Sequence, residues 1–196
     1  MMRLRGLLFT AVLFCAAPAG ASVSFTVAMD ALVRESSAAC VVSPIEAKSV
    51  WENGRIATYT RVHVDRVVAG SVASEVWIKT LGGAVGDIGQ TVDGEAVLRA
   101  GRQSLLFLST YEGSLVVTAR GQGQFAMVRD GAVLRMHKNL WAGALLAPSP
   151  TVLAQIRART TEVEAATPAA DVLDGKTIDE AAPHIAAAWS RTHAHP

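Results

Sequence analysis

Residues 51 to 70 read Trp51-Glu-Asn53-Gly54-Arg-Ile56-Ala-Thr58-Tyr59-Thr60-Arg61-Val62-His63-Val64-Asp65-Arg66-Val-Val68-Ala-Gly70. Ile56, Thr58, Thr60, Val62, Val64 and Val68 fall on one face of an extended chain, and Tyr59, Arg61, His63 and Asp65 fall on the other. A period of two sustained over this length predicts a long strand with one face buried. Arg66 interrupts the apolar face, so a bend or bulge is expected near it, and Gly70 ends the segment. Asn53-Gly54 supplies the left-handed conformations of a tight hairpin turn. The segment before it, Ala39 to Trp51, is rich in strand formers; Pro44 removes a ladder donor there and marks an edge or a bulge.

Further strands are expected at Glu75–Leu81, Glu95–Leu98, Ser104–Ser109, Ser114–Ala119, Phe125–Arg129 and Ala132–Met136. Turn chemistry separates them at Asp93-Gly94, Ala100-Gly101, Glu112-Gly113, Gly121-Gln122-Gly123 and Asp130-Gly131. Many short strands favour a barrel or sandwich. Thr26 to Ser36 reads as a short helix with Val27, Ala31 and Leu32 as its apolar stripe and Ser24 or Thr26 as its cap.

From Leu140 the pattern turns to alanine-rich helix, with Ser149 as cap, Pro150 at the first helical position, and Val152, Leu153 and Ile156 on one side. Residues 160–175 read as a linker. Thr177-Ile-Asp-Glu180 is a capping box that opens a last helix through Trp189, with Pro183 in its first turns.

The N-terminus reads as an export signal over residues 1–21: Arg3 and Arg5, the apolar run Leu7 to Ala17, and the small-residue pattern Ala19-Gly20-Ala21. The run is shorter than the roughly 20 residues of a spanning helix, and Cys15 follows bulky Leu13-Phe14 rather than a lipobox. The expected organisation is a signal at 1–21, a β-barrel domain at 22–138, and a helical extension with linker at 139–196. Of 18 basic residues, Arg3 and Arg5 leave with the signal; the remaining 16 against 17 acidic residues give a net charge of −1. Nucleic acid is therefore not an expected partner. The second cysteine, Cys40, loses Cys15 as a partner, and its apolar setting reads as a buried small hydrophobe rather than a reactive thiol.

Few residues suggest chemistry. The run Leu81-Gly82-Gly83-Ala84-Val85-Gly86-Asp87-Ile88-Gly89 has neither G-x-G-x-x-G nor P-loop spacing, so it reads as a permissive loop between strands that can present Gly82, Gly83, Gly86 and Asp87 to a ligand. Arg61, His63 and Asp65 share a strand face, either as a polar surface or as a binding patch. Catalysis there would need Cys40 and His63 to meet from neighbouring strands. His184, His193 and His195 lack ligands with metal-site spacing and read as part of an unstructured tail. Trp51, Trp77, Trp141 and Trp189 are too dispersed for a stacking platform and read as core or rim. No cofactor and no metal are expected.

The order of features from Leu32 through Val128 resembles a known group. A short helix precedes Ala38-Ala-Cys-Val-Val, then come Trp51 through Gly70, Leu81-Gly-Gly-Ala-Val-Gly86, and Ala100-Gly-Arg-Gln-Ser-Leu-Leu-Phe-Leu108. This is similar to uncharacterised exported bacterial proteins, frequent in myxobacteria, with an OB-like barrel akin to netrin-like and TIMP-like modules. The resemblance implies a mainly β fold, an OB-like closed or partly open barrel of five or slightly more strands, with a short N-terminal helix and C-terminal helices. In that superfamily a metalloproteinase inhibitor chelates zinc through an N-terminal cysteine. The start expected here, Ser22-Val23-Ser24, lacks one, so that mechanism does not carry over.

The expected function is that of a periplasmic or secreted, non-enzymatic binding or assembly factor. Its partner would be another exported protein, a protease or an envelope component. Inhibition of a secreted protease through Leu81 to Gly89 is the alternative, and a small hydrolase or thiol enzyme using Cys40 or His63 is the second. No membrane span is expected after signal cleavage.

Overall fold

The structure, a computed structural model, describes residues 23–140, 144–146 and 167–193. In chain order its strands are β1 (Val23–Phe25), β2 (Ala38–Glu52), β3 (Arg55–Gly70), β4 (Glu75–Leu81), β5 (Gly83–Val85), β6 (Ile88–Gln90), β7 (Ser104–Tyr111), β8 (Ser114–Val117), β9 (Gln124–Asp130), β10 (Val133–Lys138) and β11 (Ala144–Leu146). Its helices are α1 (Met29–Arg34), α2 (Ala169–Leu173) and α3 (Ile178–His193), with a 3-10 turn at Arg120–Gly123. The chain is mainly β.

The β2–β3 hairpin organises the sheet. Glu52 pairs with Arg55, leaving Asn53 (φ 51°) and Gly54 (φ 77°) as a two-residue turn with both φ positive, the type I′ geometry that Asn-Gly favours. The ladder runs back to Ala38 opposite Gly70 and skips Ile45 on β2 and Asp65 and Val68 on β3. The two β3 irregularities flank Arg66, where the pattern breaks. Pro44 lies beside the β2 bulge and beyond Val42, the last β2 residue that pairs with β7.

The seven-stranded sheet has the order β10-β9-β7-β2-β3-β4-β8 and curls back on itself, because β7 also pairs with β8. Strands β2, β3, β4, β8 and β7 thus form a ring, all antiparallel except the β4–β8 seam.

Alternation on β2 and β7 supplies two cores. Cys40, Val42, Leu106 and Leu108 point into the ring with Val62, Ile78 and Val117. Ala39, Val41, Leu105 and Phe107 face the other way, onto Met29, Leu32, Val33, Phe125, Met136, Val172, Leu173 and Ile185. Strands buried on both faces read as continuous apolar runs, as Ala38–Val42 and Leu105–Leu108 do.

Several expectations change. The helix at 26–36 contracts to Met29–Arg34, with Ala28 at its N-cap and no side-chain cap; Val23–Phe25 is instead a strand, parallel to β11. Glu95–Leu98 forms no strand, because the Gln124 side chain takes the place of a neighbouring strand at Val97. The glycine run from Leu81 folds as the β5–β6 hairpin rather than a loop.

The linker expected up to Gly175 instead contains α2, whose Ala169, Val172 and Leu173 are buried in the same core as α1 and α3. Residues 144–146 are strand β11, and the helix expected at 149–156 lies outside the described residues, as do the export signal and Trp141. Thr177 and Glu180 do form the capping box: Thr177 N–H donates to Glu180 Oε2 at 2.8 Å and Glu180 N–H to Thr177 Oγ1 at 3.2 Å. The helix it opens runs on to His193, which stacks on Trp189 at 3.9 Å and is no loose tail.

Candidate functional site

The parallel seam between β4 and β8 is short, pairing only Ile78 with Leu115 and Lys79 with Val116. Where it ends, a cleft of about 530 Å³ opens between the tips of the β2–β3 and β7–β8 hairpins. The second tip repeats the first: Tyr111 pairs with Ser114, and Glu112 (φ 48°) and Gly113 (φ 75°) form another two-residue turn with both φ positive. Glu52 and Asn53 line the cleft from one tip, and Tyr111 and Glu112 from the other.

Three cations line it, and one is neutralised in place. Lys79 donates to Glu52 Oε1 at 2.6 Å, the Tyr59 hydroxyl donates to Glu52 Oε2 at 2.9 Å, and the Lys79 ammonium stands 5.7 Å from the Tyr59 ring centre. The register explains the meeting, since Tyr59 pairs with Lys48 on one side and with Lys79 on the other. The Lys79 and Tyr59 hydrogen bonds hold the Glu52 carboxyl below its ordinary range, and the Glu52 hydrogen bond raises Lys79.

Glu95 forms part of the wall and is 8% exposed. Burial pushes its carboxyl upward, opposed by N–H donation from Ala96 and Leu81 and by the charge of Arg120. A carboxyl so placed holds its proton to higher pH than usual and can donate a hydrogen bond.

Arg120 arrives by an unusual route. Val117 pairs with Leu108 and Gln124 with Leu106, so β8 and β9 follow the same edge of β7 in succession. The six residues from Thr118 to Gly123 stand against Phe107 alone and make an excursion from that edge. Its first bend places Ala119 (φ 54°) and Arg120 (φ 55°) in the left-handed region, which costs non-glycine residues about 1–2 kcal/mol each. Strain of this kind persists only where the surroundings impose it. Gly121 N–H bonds Gly94 C=O at 2.9 Å, and a Cβ at Gly121 would stand 3.0 Å from that oxygen.

The residues singled out from sequence lie elsewhere. Arg61 is held between Glu46 at 2.9 Å and Glu75 at 3.1 Å. Asp65 accepts from Ser43 Oγ at 2.7 Å and from Gln103 Nε2 at 3.1 Å, and His63 is exposed on the neighbouring stretch of strand. Gly83, Gly86 and Asp87 belong to the β5–β6 hairpin and Gly82 joins it to β4, with Gly83 pressed onto Ser49 and Thr58 and Gly86 at the open turn. None of these seven lines the cleft.

Cys40 and His63 do not meet: His63 pairs with Ser43 and is exposed, whereas Cys40 is fully buried inside the ring with its thiol pushed up to about 12 by desolvation. Trp51 and Trp77, expected as core or rim, are 51% and 44% exposed. His184 and His193 lie nine positions apart on α3 and so point to opposite sides of it. Among the described residues no group of three His, Cys, Asp or Glu side chains is placed to hold a metal, and no helix is long and apolar enough to cross a membrane.

The described lining contains no histidine, cysteine or serine, and its lysine is neutralised by Glu52. What it offers is hydrogen-bonding charges, one exposed tyrosine and a buried carboxyl. Sequence reading missed it because its residues come from four separate segments. The available signal was the pair of Xaa-Gly turns, Asn53-Gly54 and Glu112-Gly113, each bordered by charged and aromatic residues. No family model matches the chain, and no curated protein matches it.

Proposed function

We propose that this is an exported, non-enzymatic binding factor of the bacterial envelope or exterior, whose cleft between the Asn53 and Glu112 turns takes another exported protein. The ring supports an OB-like barrel as scaffold: β2, β3 and β4 form a meander, and β8 returns parallel to β4 to close against β7. In OB folds the ligand surface includes the loops joining strands one to two and four to five, which correspond here to the two turns at the cleft. The observation that carries the reading is that cleft, with charged and aromatic groups from both hairpin tips and its lysine neutralised in place. Export rests on the N-terminal pattern of Arg3, Arg5, Leu7–Ala17 and Ala19-Gly20-Ala21.

Affinity capture from envelope extract and culture fluid tests this. The wild-type protein and a His63→Ala control are expected to retain one defined partner that a Tyr111→Ala variant loses. Capture of nothing by the wild type, or of the same partner by Tyr111→Ala, defeats the assignment.

Inhibition of a secreted protease is a second reading. It is favoured by the β5–β6 hairpin, which ends in the open Gly86-Asp87 turn beside exposed Ile88. Co-secreted proteases mixed with wild-type protein and with an Ile88→Asp variant separate the readings. Undiminished proteolysis in both removes the inhibitor.

A further inference from the structure

We propose that Arg120, together with Arg55, anchors a carboxylate-bearing segment of the partner, so that the cleft takes an extended acidic peptide. This rests on the cleft being the binding site. Of the three cations lining it, Lys79 already has Glu52 at 2.6 Å, whereas no ion pair within 4 Å joins Arg55 or Arg120 to an acidic side chain among the described residues. The cleft therefore presents two guanidinium groups with no contact ion pair among the described residues, each able to grip a carboxylate with two parallel N–H bonds.

Arg120 is also built into position. A strand that simply continued along β7 would pass Phe107 with one residue; this chain instead uses six and bends through two left-handed non-glycine residues. The excursion is tied down on several sides. Gln122 accepts from Val27 N–H at 2.9 Å through its side chain and donates to Phe25 C=O at 2.9 Å. Thr118 N–H bonds Phe107 C=O at 2.8 Å, and Gly123 packs so closely on Thr118 that a Cβ has no room.

Glycine would occupy the Arg120 backbone without strain, so an arginine there gives up stability to place a guanidinium at the cleft. Glu95 interacts with it in charge but is buried and makes no ion pair with it within 4 Å, so the hydrogen-bonding edge of the guanidinium is open to an outside acid. A backbone-only role for the excursion makes the opposite prediction, namely that the side chain at 120 is dispensable.

The test uses the full mature chain, titrated at low salt with a blocked peptide of alternating Glu and Thr and with its Gln-for-Glu counterpart. The acidic peptide is expected to bind at least about tenfold more tightly than the neutral one, and to weaken as salt rises. Arg120→Gln and Arg55→Gln should each weaken it by about tenfold, while Arg120→Lys keeps part of the affinity. Arg120→Gly should raise the Tm and still lose binding, which separates recognition from folding.

Equal affinity for the two peptides, absence of binding to either, or unchanged affinity in Arg120→Gly overturns the inference. Competition by inorganic phosphate at the same concentration as the peptide also overturns it, in favour of a simple anion site. Partner capture that depends on Tyr111 but not on Arg55 or Arg120 removes this inference alone and leaves the binding function standing.

Discussion

The side-chain amide of Gln124 bonds both backbone groups of Val97, accepting from its N–H at 2.9 Å and donating to its C=O at 2.7 Å. Gln124 is buried, and Asn139 donates to the same oxygen at 3.2 Å. One side chain thus does for the 95–98 segment what a paired strand would do. Gln124→Leu keeps the volume and leaves both Val97 groups without their partner, at a cost of about 2 kcal/mol or more. Urea melts should show that loss, and hydrogen exchange at the Val97 amide should accelerate by more than at Tyr59, inside the β2–β3 ladder.

Gly70 ends β3 directly beneath Trp189. Its φ is 73°, and an added Cβ would stand 2.7 Å from Trp189 Cη2 and closer still to the Ser37 carbonyl. Gly70→Ala therefore combines a left-handed alanine with displacement of α3, for a total of about 2–5 kcal/mol. Gly86→Ala is the matched control, because Gly86 has φ 58° with open space around it and should cost only the backbone part, about 1–2 kcal/mol. Equal destabilisation by the two substitutions would mean that Trp189 does not seat on the sheet end as described.

The period-two pattern of Ile56 to Val64, the Asn53-Gly54 turn and the Thr177–Glu180 box were readable, because each is a local agreement between side-chain chemistry and backbone geometry. Past the bulge at Asp65, Val68 turns to the other core, and the second hairpin turns on Gly131-Ala132, one position beyond Asp130-Gly131, because Asp130 pairs with Val133. What escaped reading depends on distant partners. Glu95–Leu98 has strand-like composition, yet its neighbour is a side chain 27 positions on. The buried face of α2 is only Ala169, Val172 and Leu173, too few to stand out in a small-residue stretch until α1 and α3 enclose them. The cleft was invisible for the same reason: Lys79 meets Glu52 across 27 residues, and Arg120 is delivered by a detour whose register no local pattern records.

Cys40 should be inert in the native protein. It is fully buried within the ring, and desolvation pushes its thiol up to about 12. Iodoacetamide at pH 8 is expected to modify it only at the rate at which the chain unfolds, and Cys40→Ala should leave partner capture unchanged. The raised folded value also sets a pH dependence. The native state keeps its proton while the unfolded thiol loses it, so this contribution is fully present below the ordinary thiol value near 9 and is lost as pH rises toward about 12, by about 1.4 kcal/mol per pH unit. Rapid labelling of folded protein would reopen a thiol chemistry for this chain.

Glu95 carries the same linkage at lower pH. Burial raises its carboxyl above the unfolded value, with Arg120 and two backbone N–H groups opposing the shift. The folded state binds the proton more tightly, so the contribution is fully present below the ordinary carboxylate range and is lost as pH rises through the folded value. Above the ordinary carboxylate range the native protein thus holds a carboxyl that would ionise more readily in the unfolded chain, and Glu95→Gln should stabilise it there and remove this part of the pH dependence. Gln can still accept from the Ala96 and Leu81 N–H groups, so the cleft wall should remain in place. The variant also removes the charge interaction of Glu95 with Arg120 that remains when the carboxyl ionises, and the acidic peptide should bind it at least as well as it binds wild type. A Glu95→Gln protein that is less stable at pH 7 than at pH 4 relative to wild type would show that the carboxylate, not the acid, is the form this fold prefers.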